Sequence, residues 1–93
     1  MRNLLIVEDH DDHRNWWLEN LHTVFPGAIV SAAVSLAEAR RVIEEKVFTL
    51  AILDINLPDG SGIDLMRELT INTPDCYGVI CSVKDSLNSA RKL

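Results

Sequence analysis

Apolar residues in this chain form short continuous runs, separated by stretches in which they recur every three or four positions. Continuous runs are typical of strands covered on both faces, and the three-to-four spacing is typical of helices with one buried side. The runs predict four strands, at Asn3–Val7, Ala28–Ala33, Phe48–Asp54 and Tyr77–Ser82. The spaced stretches predict helices over residues 11–25, 35–46 and 61–72, with a fourth beginning at Ser86–Leu93.

Local signals support these helix boundaries. Pro26-Gly27 ends the first helix, Ser35 with Glu38 forms a capping box for the second, and Thr73-Pro74 stops the third. The positions expected to face inward share an apolar side chain at helical spacing: Trp17, Leu18, Leu21, Val24, Phe25, then Leu36, Ala39, Val42, Ile43, then Ile63, Leu65, Met66, Leu69. Trp16 lies at the edge of its stripe, where a core-margin role and a protein contact are both open.

The order of elements is βαβαβαβ followed by a helical stub, and every crossover is long enough to hold a helix. Such a chain forms an α/β fold with a parallel sheet, right-handed connections and helices on both faces. Residues 1–93 show no linker, repeat or low-complexity segment, so we expect a single domain.

Composition narrows the functional classes. An apolar fraction of 47% predicts a packed globule, and the net charge is −5, with four acids between Glu8 and Asp12. This balance opposes nonspecific nucleic-acid binding and favours a cation or a basic partner. No apolar run approaches the ~20 residues that cross a bilayer, and Met1-Arg2-Asn3 does not begin a signal peptide. We therefore expect a cytosolic protein.

Polar residues follow three of the predicted strands. Glu8 and Asp9 follow the first, Asp54 ends the third and Ser82 ends the fourth. Because parallel strands share the orientation of their carboxyl ends, these groups are expected to meet in one cleft. Singly, each has a local alternative: Ser82 can cap the next helix, an acid of the pair can cap the first helix, and Asp54 can begin a turn.

Clustered carboxylates repel one another unless a cation shares the site, and carboxylate oxygens with room for water suit Mg²⁺. Beside such an ion, Asp54 can act as a nucleophile that forms an acyl phosphate, with Ser82 bonding a phosphoryl oxygen. Zn²⁺ is less favoured, because His10 and His13 are expected to face solvent.

Three segments resemble the signatures of the response-regulator receiver domain of two-component signalling. They are Val7-Glu8-Asp9-His10, Leu53-Asp54-Ile55-Asn56-Leu57-Pro58-Asp59-Gly60-Ser61-Gly62 and Val79-Ile80-Cys81-Ser82. The resemblance implies a flavodoxin-like, doubly wound sheet of order 2-1-3-4. It also implies that Asp54 accepts a phosphoryl group from a sensor histidine kinase or a small phosphodonor. Asp9, Asp54 and the backbone carbonyl of Asn56 would bind Mg²⁺, Glu8 would help through water, and Ser82 would be the switch hydroxyl.

The chain also departs from that family. The resemblance implies a receiver domain without its fifth strand and last helix, and so without the lysine that pairs with the phosphoryl group. Lys84 is the substitute we consider, and the branched Val83 is expected to narrow access to Asp54. The apolar fourth strand becomes a sheet edge and an apolar patch on the sheet is left open, so we expect a homodimer, or else a shortened product of a longer gene.

Two functions therefore stay in view. The first is a phosphoacceptor domain that is not an enzyme beyond its own phosphorylation and dephosphorylation, and whose output is a protein contact. It binds no nucleic acid itself, so any transcriptional role belongs to a longer gene. The second is an interaction module that is not phosphorylated, which loss of the lysine favours and retention of Glu8, Asp9, Asp54 and Ser82 opposes. A Mg²⁺-dependent phosphatase is a weaker third, because we find no additional cationic phosphate ligand or general acid.

Overall fold

The apolar runs form one parallel sheet in the computed structural model, which describes residues 2–81. In chain order the elements are β1 (Asn3–Val7), α1 (Asp11–Val24), β2 (Ile29–Ala33), α2 (Leu36–Glu45), β3 (Leu50–Asp54), β4 (Asn56–Leu57), β5 (Gly60–Ser61), α3 (Gly62–Asn72) and β6 (Tyr77–Cys81). The main sheet has the order β2-β1-β3-β6. The predicted order 2-1-3-4 is therefore confirmed, with β6 as the fourth predicted strand.

The two faces of the sheet are covered by different helices. Because alternate residues of a strand point to opposite faces, Leu5 and Val7 face one layer and Leu4 and Ile6 face the other. The first layer holds α2 and α3, which contribute buried side chains such as Leu36 and Leu65 to the larger core cluster. The second layer holds α1, whose Leu21 packs with Leu4, Ile6 and Ile52. The doubly wound α/β arrangement is thus confirmed.

Capping contacts fix where two helices begin. The Ser35 hydroxyl accepts a hydrogen bond from the Glu38 backbone N–H at 3.2 Å, which confirms the predicted capping box at the start of α2. The Ser61 hydroxyl does the same for α3, accepting from the Ile63 N–H at 3.1 Å. The start of α3, directly behind the stretch that carries Asp54, is therefore fixed by its own sequence.

Three details differ from the sequence prediction. A two-stranded antiparallel hairpin, β4 and β5, lies between β3 and α3 and was not predicted. Val24 and Ile63 were predicted to face inward and are instead 64% and 41% exposed. Both residues lie in the terminal turns of their helices, where less of the sheet remains to cover them. Finally, β3 begins at Leu50 and not at Phe48, although the Phe48 side chain is buried.

Some predictions fall on residues outside the described part. They are Ser82 as the end of the fourth strand, Val83, Lys84 and the helix beginning at Ser86–Leu93. None of the helices within residues 2–81 has the length and apolar character needed to span a membrane.

Candidate functional site

Three carboxylates meet at the carboxyl edge of the sheet. Glu8 and Asp9 follow β1, and Asp54 is the last residue of β3. Each contributes a carboxylate oxygen that lies within 4.8 Å of the oxygens of the other two. The structure therefore brings together the three acids that the strand ends predicted to converge.

Strand register explains this convergence. β1 and β3 are parallel neighbours with Val7 opposite Leu53, so the residues that follow each of them reach the same level. On the other side of β1, the Glu8 backbone N–H donates to the Ala33 carbonyl at 3.0 Å, which continues the ladder one residue past the strand. The N-cap of α1 is His10, so neither Glu8 nor Asp9 occupies that position. The local alternative for the acid pair is thus excluded.

Burial increases the repulsion between the carboxylates of this cluster. Glu8 and Asp54 are only 5% and 6% exposed, whereas Asp9 is exposed at the rim. The Oε2 atom of Glu8 and the Oδ2 atom of Asp54 are both closed off from solvent. At such separations two carboxylates repel by about 3 kcal/mol per pair near a protein surface. A divalent cation with oxygen preference relieves that repulsion, so the donor set fits Mg²⁺.

The first turns of α1 contact this cluster, so the prediction that both histidines face solvent is confirmed for His10 and wrong for His13. His10 is exposed, but His13 is half-buried and its Nδ1 lies 3.0 Å from Glu8 Oε1. The Arg14 guanidinium donates to the carbonyls of Glu8 and Asp9, at 3.0 and 3.3 Å, and also pairs with Asp11. The angle at which α1 leaves the sheet directs both side chains back to the end of β1.

The segment after Asp54 is folded tightly against it. In the β4–β5 hairpin Asn56 pairs with Ser61, and the chain then enters α3 at the buried Gly62. The Gly62 N–H donates to the Ile55 carbonyl at 2.9 Å. A Cβ at position 62 would lie 2.0 Å from the Asp54 carbonyl oxygen, so only glycine fits there. Gly62 thus sets how closely α3 approaches the backbone of Asp54.

The same segment is fastened to α2 by Asp59. Its two carboxylate oxygens accept hydrogen bonds from the Leu36 and Ala37 backbone N–H groups, at 2.8 and 3.0 Å. These N–H groups belong to the first turn of α2, where a helix favours negative charge. The hydrogen bonds from Leu36 and Ala37 lower the pKa of Asp59 below its ordinary value. The loop after Asp54 is therefore tied to the start of α2.

A small cavity opens beside the acids. Its lining includes Glu8, Trp17, Asp54 and Cys81, so one face of the cluster borders an indole ring and a thiol. Cys81 ends β6 opposite Asp54 in the parallel register. The predicted switch residue Ser82 follows Cys81 directly, but Ser82 and Lys84 lie outside the described residues.

Sequence reasoning missed four contributors to this site: His13, Arg14, Asp59 and Gly62. Gly62 could have been found, because it stands at the predicted entry from the strand that ends at Asp54 into the next helix, where a close backbone approach requires glycine. The other three act across elements whose relative placement no local pattern gives. His13 and Arg14 depend on the angle between β1 and α1, and Asp59 depends on how the hairpin meets α2.

Comparisons with known proteins agree with this geometry. A family model described as "Response regulator receiver domain" matches residues 4–93. The DNA-binding transcriptional activator DevR/DosR of Mycobacterium tuberculosis is 35% identical over 75 residues, which cover 81% of this chain and 35% of that protein. The chain therefore spans about a third of the length of this curated relative.

Two solved structures extend the comparison to the fold. The MaeR response regulator bound to beryllium trifluoride has a TM-score of 0.80 and 26% identity, covering 94% of this chain and 77% of that one. The complex of the histidine kinase ThkA with the response regulator protein TrrA matches with a TM-score of 0.76 and 26% identity, covering 88% of this chain and 69% of the matched chain.

Proposed function

The chain belongs to the family of response regulator receiver domains, and we propose that it is a phosphoacceptor domain of two-component signalling in which Asp54 accepts the phosphoryl group. One observation carries the proposal. Asp54 ends a central strand, is 6% exposed and has carboxylate oxygens of Glu8 and Asp9 within 4.8 Å. Receiver domains are signalling domains, so we expect no separate substrate beyond the phosphodonor.

The proposed reaction is a phosphoryl transfer onto a carboxylate. An Asp54 oxygen attacks the donor phosphorus, and the new P–O bond forms as the donor's P–N or P–O bond breaks. The electron pair of the broken bond leaves with imidazole for a phosphohistidine donor or with acetate for acetyl phosphate. Attack of water on the acyl phosphate then releases inorganic phosphate and restores Asp54, which is the self-dephosphorylation we propose for this chain.

We propose Mg²⁺ as the cofactor, held by Asp9, Asp54 and the Asn56 backbone carbonyl, with Glu8 acting through water. When bound, the ion offsets the charge of the acids and of the incoming phosphoryl oxygens. The three acids have separate roles in this proposal. Asp54 reacts, Asp9 binds the ion from the exposed side of the cluster, and the buried Glu8 adds a further negative charge. The hard oxygen donors of this cluster support the choice of ion.

We propose Ser82 as the hydroxyl that turns toward phosphorylated Asp54, and Lys84 as the substitute cation. Support comes from the register of β6, which sets Cys81 opposite Asp54, and from the sequence, in which Ser82 directly follows Cys81. Lys84 follows two positions later. Phosphorylation of a Ser82→Ala variant with an unchanged conformational response would contradict the switch role.

A sensor histidine kinase is the proposed phosphodonor. The response regulator TrrA was solved in complex with the histidine kinase ThkA, and it shares 26% identity with this chain. We propose that the kinase docks beside the acids on α1, where Trp16 is 55% exposed and Asp11 and Asp12 are exposed. The cytoplasm is the proposed location, and with a net charge of −5 we expect no direct nucleic-acid binding.

We also propose a homodimer formed through β6. This strand lies at the edge of the sheet within residues 2–81, and its Tyr77 and Val79 side chains are 79% and 45% exposed. An apolar edge strand offers backbone groups that pair with a second copy. Light scattering after size-exclusion chromatography tests this, and a monodisperse monomer at working concentration contradicts it.

Mass spectrometry tests the central proposal. The chain is incubated with Mg²⁺ and acetyl phosphate, and the intact mass is recorded beside that of Asp54→Asn. Asp64→Asn is the matched control, because Asp64 is an exposed acid on α3. We expect one phosphoryl group on the wild type and on the Asp64 variant, and none on the Asp54 variant. Folded wild type without any gain would favour the interaction module that is not phosphorylated.

A further inference from the structure

The side chains of His13 and Arg14 extend from α1 to the end of β1, where they contact Glu8 and Asp9. The sequence motifs described above predict neither contact. His13 Nδ1 lies 3.0 Å from Glu8 Oε1. Arg14 Nη1 donates to the Glu8 carbonyl at 3.0 Å and to the Asp9 carbonyl at 3.3 Å. The two side chains therefore hold different parts of the acid pair: Arg14 holds its backbone and His13 holds the Glu8 carboxylate.

The chemistry of the His13 contact defines the direction of the hydrogen bond. An ionised carboxylate can only accept, so Nδ1 carries the proton and donates it to Glu8 Oε1. The side chains are 20% exposed for His13 and 6% exposed for Glu8, so water competes little for this bond. A sheltered hydrogen bond to a charged acceptor is stronger than one between neutral groups.

Little freedom remains in Glu8 once this bond is made. Its N–H is bound to the Ala33 carbonyl and its carbonyl accepts from Arg14, so both sides of its backbone are fixed. Glutamate is among the side chains that lose most rotamer freedom when they are ordered. The His13 ring is itself supported, since it packs on the His10 ring with centroids 4.4 Å apart.

We propose that His13 is a positioning residue, whose Nδ1–H holds the Glu8 carboxylate toward Asp9 and Asp54 before the cation arrives. The inference rests on the proposed Mg²⁺-dependent function and deepens it. In this role His13 acts through Glu8 and not on the phosphoryl group. Because His13 already orders the Glu8 side chain in the free protein, less side-chain freedom is lost when a cation binds. Outer partners of direct metal ligands typically affect metal affinity by about 10-fold to 100-fold, and because Glu8 would act through water, we expect the effect of His13 at the lower end of that range.

Two substitutions separate this role from general damage. Asparagine carries a side-chain N–H at the position of histidine Nδ1, so His13→Asn keeps the donor, whereas His13→Leu removes it at similar size. His22→Leu is the matched control, because His22 is an exposed histidine in the last turn of the same helix. Melting temperature is measured for each variant to establish that it is folded.

The experiment measures the Mg²⁺ dissociation constant by titration calorimetry, and the rate of phosphorylation by acetyl phosphate at rising Mg²⁺. We expect His13→Leu to bind Mg²⁺ about 10-fold more weakly, and His13→Asn and His22→Leu to stay near the wild type. We also expect the His13→Leu rate to recover at saturating Mg²⁺, which a distorted reaction site would not allow.

Three results would overturn the inference. The first is equal Mg²⁺ affinity in His13→Leu and the wild type. The second is an His13→Asn variant as weak as His13→Leu, since the retained donor would then have no effect. The third is a folded wild type that binds no Mg²⁺, which refutes the proposed metal-dependent function and the inference together. The first two leave the proposed function intact, so the two failures are distinguishable.

Discussion

Replacing Gly62 by alanine adds one methyl group where the chain has no room for it. An ideal Cβ at this position lies 2.0 Å from the Asp54 carbonyl oxygen and 2.9 Å from its carbonyl carbon. Both obstacles are backbone atoms, so no side-chain rotation relieves the contact. The start of α3 and the end of β3 must instead move apart by at least about 1 Å, which only just reaches the shortest separation that a Cβ atom tolerates.

This movement has a cost that can be compared with known effects. Overpacking a core by a methyl group lowers the free energy of unfolding by about 1–3 kcal/mol, and a clash with backbone belongs at the upper end. For a domain of this size, about 3 kcal/mol lowers the melting temperature by roughly 10 °C or more. Because the displaced backbone carries Asp54, we expect a shift of about 1 Å to slow the proposed phosphorylation by about 100-fold as well.

Urea denaturation followed by circular dichroism measures the first effect, and intact-mass kinetics with acetyl phosphate measures the second. Gly27→Ala is the matched control, because no atom outside its chain neighbours lies within 4 Å of a Cβ built at Gly27. We expect that control to stay within about 0.5 kcal/mol of the wild type. If Gly62→Ala were as stable and as reactive as Gly27→Ala, the close approach of α3 to Asp54 would have no physical consequence and the reasoning would be refuted.

Two further predictions concern contacts that join separate elements. Because the pKa of Asp59 is lowered in the folded state, its contribution to stability is full above the unfolded pKa of about 4 and is lost as pH falls through the lower folded value. Asp59→Asn should therefore have a lower melting temperature than the wild type at neutral pH, and this difference should shrink in acid. An equal difference in melting temperature at every pH would contradict the role of the Asp59 carboxylate as a cap of α2. Arg40 and Glu68 form a bidentate pair between α2 and α3, at 3.0 and 2.6 Å. Since the two side chains are still 47% and 43% exposed, a double-mutant cycle should give a coupling of at most about 1 kcal/mol. A larger coupling that resists high salt would be inconsistent with a solvated pair.

The pattern of apolar residues along the chain predicted most of the fold. Apolar runs such as Leu4–Val7 and Ala51–Leu53 are strands because both of their faces are buried, and parallel strands place their carboxyl ends on one edge. That topology alone brings Asp54 to Glu8 and Asp9. The strand order itself came from the resemblance to receiver domains, because periodicity does not distinguish one parallel neighbour from another.

The contacts between helices and strands could not be predicted from the sequence. The pattern of α1 predicts which residues face the sheet, but not the angle at which the helix leaves it, and that angle decides that His13 contacts Glu8. Val24 and Ile63 show the related limit at helix ends, since an apolar residue at the right spacing stays exposed once the sheet beneath it ends. Asp59 received no role in the sequence analysis, because its contact with the first turn of α2 depends on residues that are distant in sequence.

The position of β3 between β1 and β6 has a consequence for how the domain folds. β1 and β2 are joined by a single helix, whereas β3 reaches β1 only after all of β2 and α2 have intervened, pairing Leu4 with Leu50. Closing a longer loop costs more chain entropy, and pairings distant in sequence slow folding. Insertion of β3 also carries Asp54 up to the acids that follow β1. Pairing of β3 with β1 therefore also assembles the acid cluster, and exchange of the β3 amide protons, which requires that pairing to open, would report on both.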